Sequence, residues 1–322
     1  MLALLFPGQA SQEVGMGRDV FEASASARAV FEAADAVLSD ALEVPLSKLC
    51  FEGPEAELRR TEIQQPAILT TSIALLRALE EQVGPIEPGY VGGHSLGEYT
   101  ALVAAGALGF EDAVRTVNMR GRLMQEAVAE GRGAMAAVLG VAPEVVADAC
   151  AHAAGEAGLV VAPANFNSSQ QTVIAGDVAA VEAACARARA LGAKKTVPLP
   201  VSAPFHCALM EPAAEKLSVE LDRLEWNEAT PPVITNVEAE PNADANRIAS
   251  LLREQVTAPV RFTDMIARMK VLGVDRFLEV GPGRVLSGLI ARIERRARRA
   301  NFSSLGELED VRRFVSDFEV SV

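Results

Sequence analysis

Gly93-His94-Ser95-Leu96-Gly97 constrains the fold of this chain more than any other stretch. A serine set between two glycines in this way fits a sharp turn from a strand into a helix. Residues without side chains let the backbone crowd together there and push the hydroxyl out into a cleft. The flanks agree: residues 88–92 read as a short extended run, and residues 98–105 as an apolar helix that stops near Gly106. Strand, turn and helix in that order predict an α/β fold with acyl chemistry at Ser95. A glycine-rich helix start capped by the serine is the purely structural alternative.

The rest of the chain supplies the sheet that such a turn needs. Short apolar strands at residues 2–6, 233–237 and 276–280 alternate with long helical patterns, which predicts a mostly parallel sheet covered by helices in a large, hydrolase-like domain. Residues 135–139, 159–162, 172–175 and 195–197 read as strands, with helices at 143–154 and 177–191 between them. That β-α-β-β-α-β order is the ferredoxin-like plan, and it predicts a small subdomain over 130–198 inserted into a large domain of 1–129 and 199–322. A length of 322 residues suits such a division, and 50% hydrophobic residues suffice for the cores. A cleft between two such units is a common place for a substrate.

Charge and cysteine usage exclude several classes. A net charge of −13 argues against nucleic acid as a partner, because phosphate backbones are met by clustered cations. No run reaches membrane-spanning length, and Met1 to Phe6 reads as a first buried strand rather than a leader. The four cysteines lie far apart without metal-type or redox-type spacing, as expected of reduced thiols in a cytoplasmic protein. One basic run stands out, five arginines between Arg292 and Arg299. It reads either as a docking patch for an acidic partner or as a solvated helix end whose cations favour the negative pole of the dipole.

A serine hydroxyl needs a base, and the chain offers three histidines. His94 adjoins Ser95 and points to the opposite face of an extended backbone. His152 lies within a small-residue helix, where a structural role is expected. His206, in Pro204-Phe205-His206-Cys207, follows the small subdomain as the chain returns to the large one, and it is the candidate base; a packed core histidine beside Phe205 and Cys207 is the structural alternative. No acid marks itself as a third member, so the imidazole is oriented either by an acid that the sequence does not single out or by a backbone or amide carbonyl, which would make a dyad. Arg120 shares a helix face with Ala113, Val117 and Met124, whereas Arg115 and Arg122 fall on the other side. A guanidinium on a buried face needs an anion or a hydrogen-bonding partner, met either by a substrate carboxylate or by an internal group.

Seven ordered motifs together resemble the malonyl-CoA:acyl carrier protein transacylases. They are Phe6-Pro7-Gly8-Gln9-Ala10-Ser11-Gln12, Gln64-Gln65-Pro66-Ala67, the Ser95 motif continued to Glu98-Tyr99, Met119-Arg120-Gly121-Arg122, Ala164-Asn165-Phe166-Asn167, Pro204-Phe205-His206-Cys207 and Glu279-Val280-Gly281-Pro282-Gly283. The resemblance covers almost the whole chain. It implies that Ser95 carries a malonyl ester, that His206 is the base, and that backbone N–H groups of Gln9 and Leu96 form the oxyanion hole. It also implies that Arg120 and Gln65 bind the substrate and that the carbonyl of Gln255 orients His206. Malonyl-CoA and an acyl carrier protein are the implied partners. No cofactor is permanently bound, since the carrier brings the phosphopantetheine, and the family suggests a monomer. The sequence departs from the pattern twice. Ala10 replaces a glycine, which adds strain if φ is positive there, and Phe205 stands where many stand-alone members have serine. A phenylalanine at that position resembles malonyl-specific domains of modular synthases, and it predicts malonyl over methylmalonyl. Lys194, Lys195 and the arginine run are candidate carrier-docking cations. Two rivals remain at this level: a serine hydrolase using the same Ser95 and His206, and a catalytically silent docking component.

Overall fold

The structure, a computed structural model, describes residues 1–201 and 203–316. Strand β1 (Leu2–Phe6) is buried at every position, as a continuous apolar run covered on both faces should be. It pairs in parallel with β2 (Tyr90–Gly93). The chain then builds a second sheet from β3 (Gly133–Leu139), β4 (Val161–Ser168), β5 (Gln171–Asp177) and β6 (Lys195–Pro198). It returns through β7 (Val233–Ile234), β8 (Pro241–Asn242), β9 (Arg276–Val280) and β10 (Arg298–Phe302).

The large sheet has the order β10-β9-β1-β2-β7-β8, and only β8 runs antiparallel to its neighbour. The small sheet, in the order β4-β5-β3-β6, is antiparallel. Helices Pro143–Ala157 and Val178–Ala190 complete its β-α-β-β-α-β pattern, as the sequence predicts. The two units are stitched together at β4. Phe166 N–H donates to Val260 O at 2.9 Å, and Val260 N–H donates to Ala164 O at 2.9 Å. Among the described residues no helix is long and apolar enough to cross a membrane.

Two sequence expectations need correction. The strand expected over 233–237 ends at Ile234, because the chain leaves the sheet at Thr235 and turns Asn236 toward Ser95. The arginine run is not a simple helix end. Helix Val285–Ile293 stops after Arg292, and Arg298 and Arg299 open β10, an edge strand whose charge protects it from pairing with another chain. His152, expected to be structural, is exposed on its helix, 3.3 Å from Glu156 one turn on.

Helix Thr61–Val83 carries an internal proline, Pro66, which removes one helical N–H. The carbonyl this frees, Glu62 O, accepts instead from Asn118 Nδ2 at 2.7 Å. Asn118 belongs to helix Phe110–Glu126, the helix of Arg120. Gly121 allows the close approach, since a Cβ there would stand 2.5 Å from Thr61 O. A proline and a glycine thus seat Arg120 against Gln65.

Candidate active site

The turn at Ser95 is as crowded as its glycines suggest. A Cβ at Gly93 would lie 2.1 Å from the carbonyl carbon of Gly97, and one at Gly97 would lie 2.0 Å from Phe6 O. Ser95 itself takes φ 53° and ψ −106°, a conformation that side-chain-bearing residues rarely adopt. Helix Leu96–Ala104 begins immediately after it. The Leu96 N–H, in the first turn of that helix, meets no acceptor among the described residues, and neither does the Gln9 N–H.

His206 Nε2 lies 2.7 Å from Ser95 Oγ, and His206 Nδ1 lies 2.8 Å from the backbone oxygen of Gln255. A carbonyl only accepts, so Nδ1 carries the proton and Nε2 is left as the acceptor facing the serine. Burial first, then the charge of Arg120, holds the His206 pKa down to about 3, which keeps the ring neutral at ordinary pH, with the Nε2 lone pair free to face the serine. His94 turns away from this pair to meet Asn167 Oδ1 at 2.9 Å.

Arg120 is fully buried. Its Nη1 donates to Gln65 Oε1 at 2.7 Å, and its Nη2 donates to Ser95 Oγ at 3.1 Å and to Gln255 Oε1 at 3.0 Å. The ring of Tyr99 lies 5.5 Å from the guanidinium carbon. Among the described residues no salt bridge reaches Arg120, although the buried Glu98 lies near enough to feel its charge, and two buried donors beside it, Arg120 Nε and Gln65 Nε2, meet no acceptor. Buried donors left without a partner have capacity for one more acceptor. Arg115 and Arg122 are exposed, as the helical period predicts.

A cavity of about 350 Å³ opens over Ser95 and His206. The large unit contributes Gln9, Ala10, Gln64, His94 and Phe205 to its wall, and the small sheet contributes Met135 and Asn165. Gln65 does not line it; the neighbouring Gln64 does, and accepts from Gln9 Nε2 at 2.6 Å. Ala10 has φ 75°, so the methyl in the Gln9 loop sits in a conformation that favours glycine.

The acyl transferase domain family matches residues 3–321. A malonyl CoA-acyl carrier protein transacylase of Escherichia coli (strain K12) is 49% identical over 291 residues, which cover 90% of this chain and 92% of that protein. The chain belongs to this transacylase family. Solved members share its fold. An acyl carrier protein S-malonyltransferase from Vibrio cholerae superposes with a TM-score of 0.92 at 44% identity, over 96% of this chain and 99% of that one. A malonyl-transacylase in complex with its type II polyketide synthase acyl carrier protein gives 0.93 at 42% identity, over 97% and 99%.

Two further groups at this transacylase site were given no role by the motifs. Asn236 Oδ1 accepts the Ser95 N–H at 2.7 Å, and its Nδ2 donates to Gly93 O at 2.7 Å. Glu98, one turn after the serine, is buried and accepts from Gln255 Nε2 at 2.7 Å and from Asn236 N–H at 3.1 Å. Burial pushes its pKa up to about 7, against those hydrogen bonds and the charge of Arg120. The sequence signal for Glu98 was the one that singles out Arg120, a charge on the apolar face of a helix. Asn236 gave no signal, because its role depends on where β7 breaks.

Proposed function

We propose that Ser95, His206 and Arg120 carry out the malonyl transfer of this family, from malonyl-CoA to the phosphopantetheine thiol of an acyl carrier protein. The observation that carries this assignment is Arg120. A fully buried guanidinium with no carboxylate partner among the described residues touches the nucleophile itself, which suits an acyl group that brings its own negative charge.

The steps follow from the hydrogen bonds. Ser95 Oγ attacks the thioester carbonyl carbon while its proton passes to His206 Nε2. The N–H groups of Leu96 and Gln9 hold the oxyanion, the first aided by its place at a helix start. The C–S bond breaks, coenzyme A leaves as the thiol with the proton from His206, and malonyl remains as an ester on Ser95. The carrier thiol then attacks the ester, gives its proton to His206, and Ser95 Oγ recovers it on leaving. Arg120 pairs with the malonyl carboxylate, Gln65 and Gln255 hold Arg120 from either side, and the ring of Phe205 narrows the cavity against an α-methyl branch. In this scheme the protein holds no resident cofactor and acts as a cytoplasmic monomer. The ferredoxin-like segment 130–198 closes the cleft as a unit separate from 1–129 and 199–322.

Hydrolysis is the competing outcome for the same dyad. The malonyl-enzyme, isolated after exposure to malonyl-CoA, is expected to persist in buffer for minutes and to discharge within seconds on adding holo acyl carrier protein. Discharge at the same rate without the carrier would make the chain a hydrolase.

A further inference from the structure

We propose that Glu98 is a positioning residue of the acyl-transfer site, holding Gln255 by its side chain and Asn236 by its backbone so that Arg120, Ser95 and His206 meet in one geometry. The inference rests on the malonyl-transfer reading above.

Three groups form the scaffold, and all are nearly inaccessible: Glu98 is 2% exposed, Gln255 and Asn236 0%. One oxygen of Glu98 receives both Gln255 Nε2 and Asn236 N–H. From Asn236 the network continues to the nucleophile turn, through Ser95 N–H and Gly93 O. Gln255 carries it to all three functional residues. Its Nε2 also donates to Ser95 O at 3.1 Å, its Oε1 accepts from Arg120 Nη2, and its backbone oxygen meets His206 Nδ1.

The polarity of this network has a direction. A side-chain amide has one accepting end and one donating end. The Gln255 oxygen must face Arg120, which only donates, so its NH₂ must face an acceptor. Glu98 Oε2 and Ser95 O supply that acceptor. Without Glu98 the amide keeps one weaker anchor, the carbonyl of Ser95, and Asn236 N–H is left buried without a partner. Arg120 is the residue most exposed to the loss, because two of its three hydrogen bonds go to Gln255 and to Ser95.

Length and charge at position 98 separate this role from a generic buried carboxyl. Glu98→Gln keeps an oxygen in the same place and removes the charge. Glu98→Asp keeps the charge and withdraws the oxygens by about 1.5 Å, beyond hydrogen-bonding reach of Gln255. The readout is the rate of Ser95 acylation by malonyl-CoA divided by that by acetyl-CoA, followed by intact mass on protein shown to be folded by its thermal transition. Acetyl lacks the carboxylate that Arg120 holds, so the ratio reports Arg120. Glu98→Asp is expected to lower the ratio at least tenfold, with Glu98→Gln staying within about threefold of wild type. A folded Glu98→Asp protein with the wild-type ratio would overturn the inference, as would equal loss in both variants. If wild type takes no malonyl from malonyl-CoA at all, the transfer reading itself fails, independently of either variant.

Discussion

Ser95, His206 and Ala10 take φ angles of 53°, 60° and 75°, and all three line the same cavity. Strain of this kind is held only where surrounding contacts over-determine the backbone. At Ser95 it aims the hydroxyl, and at His206 it accompanies a ring fixed at both nitrogens, whereas at Ala10 nothing in the structure requires the methyl. Ala10→Gly is therefore expected to stabilise the fold by about 1 kcal/mol, read as a rise in thermal midpoint without loss of acylation rate. The two buried titrating groups also set opposing pH dependences. As pH falls through 6.5, unfolded His206 binds a proton that the folded ring, held to about 3, refuses, so acid favours unfolding across that interval. Folded Glu98, raised from 4.5 to about 7, binds a proton that the unfolded chain has released, so across that interval acid favours folding. Where the intervals overlap the slopes cancel. Glu98→Gln leaves His206 uncompensated. Between pH 6.5 and about 5 it is expected to lose about 2 kcal/mol more stability than wild type, a few degrees in calorimetry. Parallel pH curves for the two proteins would contradict this.

At the scale of elements, the site is made by two close approaches. The elbow helix presses on the end of β1 through Gly97, and the arginine helix presses on the start of helix Thr61–Val83 through Gly121. Gly121→Ala puts a methyl 2.5 Å from Thr61 O, so one helix must move, and Arg120 moves with it. The expected result is a KM for malonyl-CoA raised about tenfold or more, with acetyl-CoA acylation little changed; an unaltered KM in a folded protein would show that the seating of this helix does not matter. Much of this level was legible in the sequence. The elbow, the β-α-β-β-α-β order and the burial of Arg120 follow from glycine placement and from periods of 2 and 3.6 residues. What was not legible depends on tertiary contact. The early end of β7, the edge strand within the arginine run, and the exchange of Gln64 for Gln65 at the cavity wall are all set by neighbours distant in sequence. Asn118 beneath Pro66 belongs to the same class.

For the whole molecule, the proposed catalytic groups come from segments spread along the chain, and the two sheets meet where those segments converge. Gln9 follows β1, Ser95 follows β2, Arg120 lies on a covering helix, and His206 and Gln255 follow the chain's return from the small sheet. The bonds between β4 and Val260 tie that sheet to the segment just beyond Gln255, whose carbonyl fixes His206. On the reading proposed above, a charged acyl group at Arg120 is held against a serine whose base is already oriented. The most direct test is the intact mass of the protein after brief exposure to malonyl-CoA, compared among wild type, Ser95→Ala and Arg120→Ala. Wild type is expected to gain one malonyl group, Ser95→Ala none, and Arg120→Ala to acylate on the order of 100-fold more slowly from malonyl-CoA while keeping its rate with acetyl-CoA. Malonylation of Ser95→Ala at the wild-type rate, or an Arg120→Ala protein that still prefers malonyl-CoA, would contradict the assignment of nucleophile and selector.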